Sequence, residues 1–234
     1  VMVHPNQRGA FTRKGAFWKV ATTYAEAMIG KNKEYDIAFG FPSKRAYMLG
    51  KRLNLYDAVD SLLELSWNVI RKPFFSLWKG RTWRDSDINA LPLIWEKMST
   101  SLNQSLVGVR DEKWLKERYL NHPNSIYSIV SVHRFWSSRI DGVLILRNHD
   151  DGSIEWIDMI GDVALVPQFW NVAYRFCYKR AAKRLFCWMT KSHLDVFKMT
   201  NPQVHDIDIV IPLIVHNSSL DLAKIKNRWW LMAG

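Results

Sequence analysis

The residues with the clearest chemical potential lie at the start of the chain. Val1, Met2, Val3 and His4 read as a stub of strand, and Arg8, Gly9, Ala10, Phe11, Thr12, Arg13, Lys14 and Gly15 form a basic, glycine-punctuated loop. An amphipathic helix follows. A loop of this kind between a strand and a helix N-terminus is where backbone N–H groups converge on a phosphate. The elements that would hold such a loop in place can be read from the rest of the sequence.

The chain has 234 residues, 48% of them hydrophobic, enough to bury a sizeable core in one large domain or two small ones. Charge interrupts the apolar runs every few residues, so none approaches the roughly 20 residues that span a bilayer, and no signal-peptide pattern is present. The reading is of a cytoplasmic globular protein. Cys177 and Cys187 have no metal-ligand spacing around them and read as buried thiols. The net charge of +11 suits a polyanionic partner: nucleic acid, an acidic membrane surface or a phosphorylated cofactor. Most of the 12 tryptophans, Trp156 and Trp188 among them, fall among aliphatic residues and read as core rather than as base-stacking platforms.

Phe17, Val20, Ala21, Tyr24 and Met28 recur at helical spacing, which predicts a helix from Thr12 to about Ile29. Residues 35–41 read as a short strand closed by Pro42. Ser43 is a candidate N-cap for a helix through Ala46, Leu49 and Leu53, and residues 58–69 read as a strand. Strand, helix, strand, helix, strand implies parallel pairing in an α/β sheet. The order returns later: a strand at 154–160, a helix from Pro167 to about Arg184, a strand at 185–189, a short helix at 192–199 and a strand at 207–215. Residues 111–120 look helical, and strands at 126–133 and 142–147 precede an Asp150-Asp151-Gly152 turn. The expectation is an α/β protein of two tandem mixed sheets flanked by helices, 1–105 and 106–234. The first copy is expected to be incomplete, its opening elements lying upstream of Val1.

Residues 1–55 resemble the acyl-CoA-binding core of the GCN5-related N-acetyltransferases. There a V-x-V-x-P strand leads to a Q/R-x-x-G-x-G/A loop and a long helix. Val1, Val3 and Pro5 match the strand, Arg8 and Gly9 the start of the loop, and Phe41-Pro42-Ser43 with Ala46 and Leu49 the following strand and helix. Trp114, Arg118, Tyr119, His122 and Pro123 resemble the opening of the second copy in tandem members. The resemblance implies binding of acetyl-CoA or another acyl-CoA, and acyl transfer by direct attack of an amine, on a small molecule or a peptide. It implies that the backbone of Val1, Met2 and Val3 holds the pantetheine arm like an added strand. The loop from Arg8 to Gly15 would present N–H groups to the pyrophosphate, with Arg8, Arg13 and Lys14 as countercharge. Gly9 and Gly15 would let main chain approach the anion. A solvated basic turn capping a helix is the competing reading.

Departures from the pattern matter for the chemistry. The loop is longer than the family's, and Phe11 stands where glycine is usual. Aligning Ser43, Ala46 and Leu49 with the helix motif puts Gly50 where the family often has a tyrosine that protonates the leaving thiolate. Tyr47 is the candidate substitute, although a shift of three residues turns its facing by about 60°; Tyr56 is also nearby. His4 is the candidate base for the incoming ammonium. In the second copy, Gly161 to Pro167 replaces the basic loop with an anionic, apolar turn, so that copy is expected to have lost the cofactor. His205, Asp206 and Asp208 read as solvent-facing rather than as a metal site, and Lys179, Arg180, Lys183 and Arg184 as a basic helix end. A catalytically silent CoA-binding module and a nucleic-acid-binding protein are the rival readings.

Overall fold

The computed structural model describes residues 15–70, 75–123, 127–214 and 221–232. These fall into two compact units, divided at Leu62/Leu63 and at His205/Asp206, with Trp230 onward in the second. The units do not coincide with the expected 1–105 and 106–234 division.

In the first unit, α1 (Ala16–Met28) and α2 (Lys44–Arg52) form as the spacing predicts, and Ser43 Oγ accepts a hydrogen bond from the Ala46 N–H at 3.4 Å. The strand expected at 35–41 does not form. Tyr35 and Phe39 make only isolated bridges, and Phe39 pairs antiparallel with Leu213. Pro42 has no N–H to continue a ladder, and Tyr35, Phe39 and Phe41 are all exposed, so the segment lacks a buried face. β1 (Tyr56–Asn68) starts here and pairs with β8 (Gln203–Ile214).

Two elements of the second unit escaped the sequence reading, β2 (Trp78–Thr82) and α3 (Leu91–Ser101). Leu91, Ile94 and Met98 are the buried stripe of α3, a helical spacing that was legible. After β3 (Leu106–Val107) and α4 (Glu112–Leu115), a π-helical turn at Lys116–Leu120 leads into the antiparallel run β4 (Tyr127–Arg134), β5 (Ile140–Asn148) and β6 (Ser153–Gly161). Then come α5 (Val166–Lys179), β7 (Arg184–Thr190) and a 3-10 helix at Lys191–Thr200. The strand order in this unit is β2-β4-β5-β6-β7-β1. All pairs from β2 to β6 are antiparallel, and β6 and β7 are parallel. Every residue of β6 is buried, which requires cover on both faces of the sheet.

α5 ends four to five residues before the sequence reading had it. Ala181 adopts a left-handed φ of 53°. The Ala182 N–H donates to Cys177 O and the Ala181 N–H to Tyr178 O, each at 3.1 Å, a Schellman closure that stops the helix.

Phe169 of α5 seats that helix on the sheet. A Cβ at Gly142 would lie 2.3 Å from the ring, and one at Gly161 2.6 Å. Gly142→Ala is therefore expected to lower the unfolding free energy by about 1–3 kcal/mol. Urea denaturation should show part of that loss recovered when Phe169→Leu is added.

Candidate functional site

Val1, Met2, Val3, His4, Arg8, Gly9, Ala10, Phe11, Thr12, Arg13 and Lys14 lie outside the described residues. Gly15 lies within them. It is buried, it precedes α1 with φ −75°, and its carbonyl accepts from the Lys19 N–H at 3.1 Å. That φ is open to any residue, so the conformation itself does not call for glycine. The first turn of α1 carries no acidic side chain and no side-chain cap, leaving its positive dipole end unneutralised within the described residues.

Tyr47 is on the buried face of α2, 7% exposed, with Lys51 Nζ 5.9 Å from its ring centroid. A packing role fits this position. Tyr56, named in the sequence analysis only as nearby, is the residue that meets Gly50. α2 closes with Asn54 at φ 55°, the Asn54 N–H donating to Lys51 O at 3.0 Å and the Leu55 N–H to Gly50 O at 2.9 Å. This Schellman closure folds the chain back over Gly50. As a result the Tyr56 ring fills the space a side chain at position 50 would need: a Cβ there would sit 2.0 Å from Tyr56 Cδ2. Burial raises the Tyr56 pKa, so the phenol holds its proton at neutral pH. Asn54 flanked by Leu53 and Leu55 just after a helix was the available signal.

In the second unit the parallel pair β6 and β7 is joined at only three registers, Ser153↔Arg184, Ile154↔Leu185 and Glu155↔Phe186. From Trp156 and Cys187 onward the two strands are no longer paired. Solved structures share this fold. A GCN5-related N-acetyltransferase from Kribbella flavida superposes with a TM-score of 0.62 at 11% identity over 92% of this chain and 51% of that one. The fold is that of the GCN5-related N-acetyltransferases. Namesakes from Anabaena variabilis (TM-score 0.60, 12% identity, 93% and 54% coverage) and Sphaerobacter thermophilus (0.54, 14%, 94% and 72%) agree. The chain spans about half the length of the Kribbella and Anabaena proteins. No protein-family model and no curated protein matches the sequence.

In the second unit, the end of β7 has partners within the chain. The Thr190 N–H near the end of β7 donates to Leu231 O at 3.1 Å, and Met189 bridges Met232. At the turn before α5, the Val163 N–H donates to Ser101 Oγ at 3.3 Å, the Ala164 N–H to Asp162 Oδ1 at 2.9 Å and the Leu165 N–H to Asp162 O at 3.0 Å. An anion at this turn would have to displace the Asp162 carboxylate.

Asp158, on the part of β6 no longer paired with β7, is one of the buried carboxylates of the unit, with Asp87 and Glu155. Arg110 Nη2 lies 3.3 and 3.2 Å from its two oxygens, the Met159 N–H donates to it at 2.8 Å, and the Tyr119 hydroxyl lies at 3.5 Å. The Arg110 guanidinium rests 5.3 Å from the Trp114 ring centroid, and its Nε has no hydrogen-bond partner among the described residues. Burial raises the Asp158 pKa despite the guanidinium beside it, and burial raises that of Tyr119 too. Cys177 and Cys187 are free and buried; burial pushes the Cys177 thiol up to about 12, so it carries no thiolate at neutral pH. Asp206 and Asp208 are exposed, as expected, with Asp208 paired to Lys44 at 3.1 Å.

Arg110→Ala leaves the Asp158 carboxylate buried without its countercharge and is expected to cost about 3–5 kcal/mol at pH 7. A carboxyl whose folded pKa is raised contributes most when protonated, below its unfolded value, and loses that contribution as pH rises through the folded pKa. The deficit of the variant, measured by denaturant unfolding, should therefore shrink as pH is lowered from 7 toward 4.

Proposed function

We propose that this chain carries acyl-CoA-dependent N-acyltransferase chemistry, acetyl transfer from acetyl-CoA being the simplest case. The acceptor is an amine of a small molecule or a peptide. The observation that carries this reading is the acetyltransferase fold.

The first unit is the proposed acyl-CoA site. Backbone of Val1 to Val3 would align the pantetheine, and the N–H groups from Arg8 to Gly15, at the unneutralised end of α1, would hold the pyrophosphate. Residues 106–234, whose turn before α5 already has internal partners for its amides, are proposed as the diverged, non-binding copy of a tandem 1–105 and 106–234 arrangement. The amine nitrogen attacks the thioester carbonyl, the C–N bond forms, the C–S bond breaks, and the thiolate takes a proton. His4 is the proposed base for the ammonium. Tyr56, whose ring covers Gly50 and whose phenol stays protonated, is the proposed acid in place of Tyr47, whose ring packs on the buried face of α2. A cytoplasmic setting is part of the proposal, supported by two free cysteines and by the lack of any helix long and apolar enough to cross a membrane among the described residues.

The missing hydroxyl at Gly50 favours one second reading, a CoA-binding module without turnover. Calorimetric titration with acetyl-CoA together with a thiol-release assay against a panel of amines separates the two. Binding with thiol release supports the transferase, binding alone the silent module, and no binding overturns both. Given turnover, Tyr56→Phe is expected to lower kcat about 10- to 100-fold with KM nearly unchanged, whereas Tyr47→Phe should change neither by more than about twofold.

A further inference from the structure

We propose that the groove between β2 and the C-terminal half of α5 binds a nucleotide, its phosphates against a ring of cations and its base against an adjoining aromatic wall. The groove lies wholly in the second unit, at the end of α5 opposite the Gly161–Pro167 turn. The proposal therefore does not depend on the acyl-transfer reading.

The groove has two connected chambers. The first, about 240 Å³, is lined by Lys79, Arg81, Arg175, Lys179 and Arg180, and no carboxylate among the described residues lines it. Its floor is apolar and tight, because a Cβ at Gly80 would fall 2.5 Å from Val172 Cγ1 and 2.7 Å from Val130 Cγ1. Arg81 is already neutralised by the two oxygens of Asp87, at 2.7 and 2.6 Å. Lys79, Lys179 and Arg180 form no ion pair among the described residues. The end of α5 contributes only about half a negative charge, less than Lys179 and Arg180 bring to it. Cations held together in a concave site without acids raise the local potential for a compact polyanion.

The second chamber, about 480 Å³, shares Thr82, Val130, Phe176 and Arg180 with the first and is walled by Trp83 and Tyr127. The Arg180 guanidinium lies 3.5 Å from the Phe176 ring centroid, at the seam between the chambers. A base can stack on these rings while its phosphates reach the cations. Asp85 lines only this second chamber, where it can accept from an exocyclic amine of a base and stays clear of the phosphates. The two volumes suit a small-molecule ligand rather than a long strand.

The test is calorimetric titration of the full chain, at near-physiological salt, with ADP, adenosine, pyrophosphate and a single-stranded dodecamer, alongside acetyl-CoA. The expected result is saturable ADP binding, with adenosine and pyrophosphate each weaker by about tenfold or more. Trp83→Leu should weaken ADP and leave pyrophosphate unchanged. Arg180→Glu, or the exposed Lys179→Glu if the first variant unfolds, should weaken ADP about tenfold or more, with the thermal midpoint and acetyl-CoA binding retained. Equal affinity for pyrophosphate and ADP, an ADP affinity unchanged in both charge variants, or a dodecamer binding about tenfold more tightly than ADP would overturn the proposal. So would loss of acetyl-CoA binding in parallel with ADP, because the groove would then belong to the acyl-CoA site.

Discussion

The controlling constraint in the second unit is the need to satisfy backbone hydrogen-bonding groups where β6 and β7 part. Two parallel strands that separate after Glu155 and Phe186 leave N–H and C=O groups without a ladder partner, inside a protein where such groups must be paired. In a protein that binds a peptide-like arm, the ligand can supply those partners. Here Leu231 and Met232 take up the end of β7, and Asp158 accepts the Met159 N–H on β6. The buried Asp158 needs Arg110 in turn, and Arg110 lies on Trp114 at the start of the helical turn that carries Tyr119. The parting of these strands thus lies beside a buried ion pair on β6 and a C-terminal segment bonded to the end of β7.

The same reasoning separates the two units chemically. A glycine loop at a helix N-terminus binds a phosphate only while its amides are free and its dipole unopposed. At α5, Asp162 and Ser101 take the amides, and Phe169 lies within 2.6 Å of where a Cβ on Gly161 would be. At α1, the described first turn has neither acid nor cap. Two helix N-termini in one chain therefore need not share a ligand, because the occupancy of a few amides distinguishes them.

Much was legible one element at a time. Apolar spacing placed α1, α2, α5, β4, β5, β6 and β7, and Ser43 marked the start of α2, because these signals depend on one face of a single element. The overrun of α5 past Lys179 came from apolar and basic residues that continue the pattern while Ala181, with no glycine to announce it, turns left-handed. The segment at 35–41 was apolar enough for a strand, but a strand requires a neighbour along its length, and only Tyr35, Ala38 and Phe39 have one. For the proposed site, the spacing of Ser43, Ala46 and Leu49 exposed the gap at Gly50, yet not the ring of Tyr56 that fills it.

By itself the sequence determined the alternation of strands and helices, the family resemblance, the basic character of the chain and the loss of a basic loop before α5. These are properties of local pattern and composition, which survive without knowledge of any contact. Only the tertiary structure decided that β6 and β7 part after three registers, that Leu231 and Met232 occupy the end of β7, that Asp158 lies against Arg110, and that cations from β2 and α5 face one groove. Each of these joins residues far apart in the chain, and such pairings are set by how packed elements satisfy one another's backbone and charge.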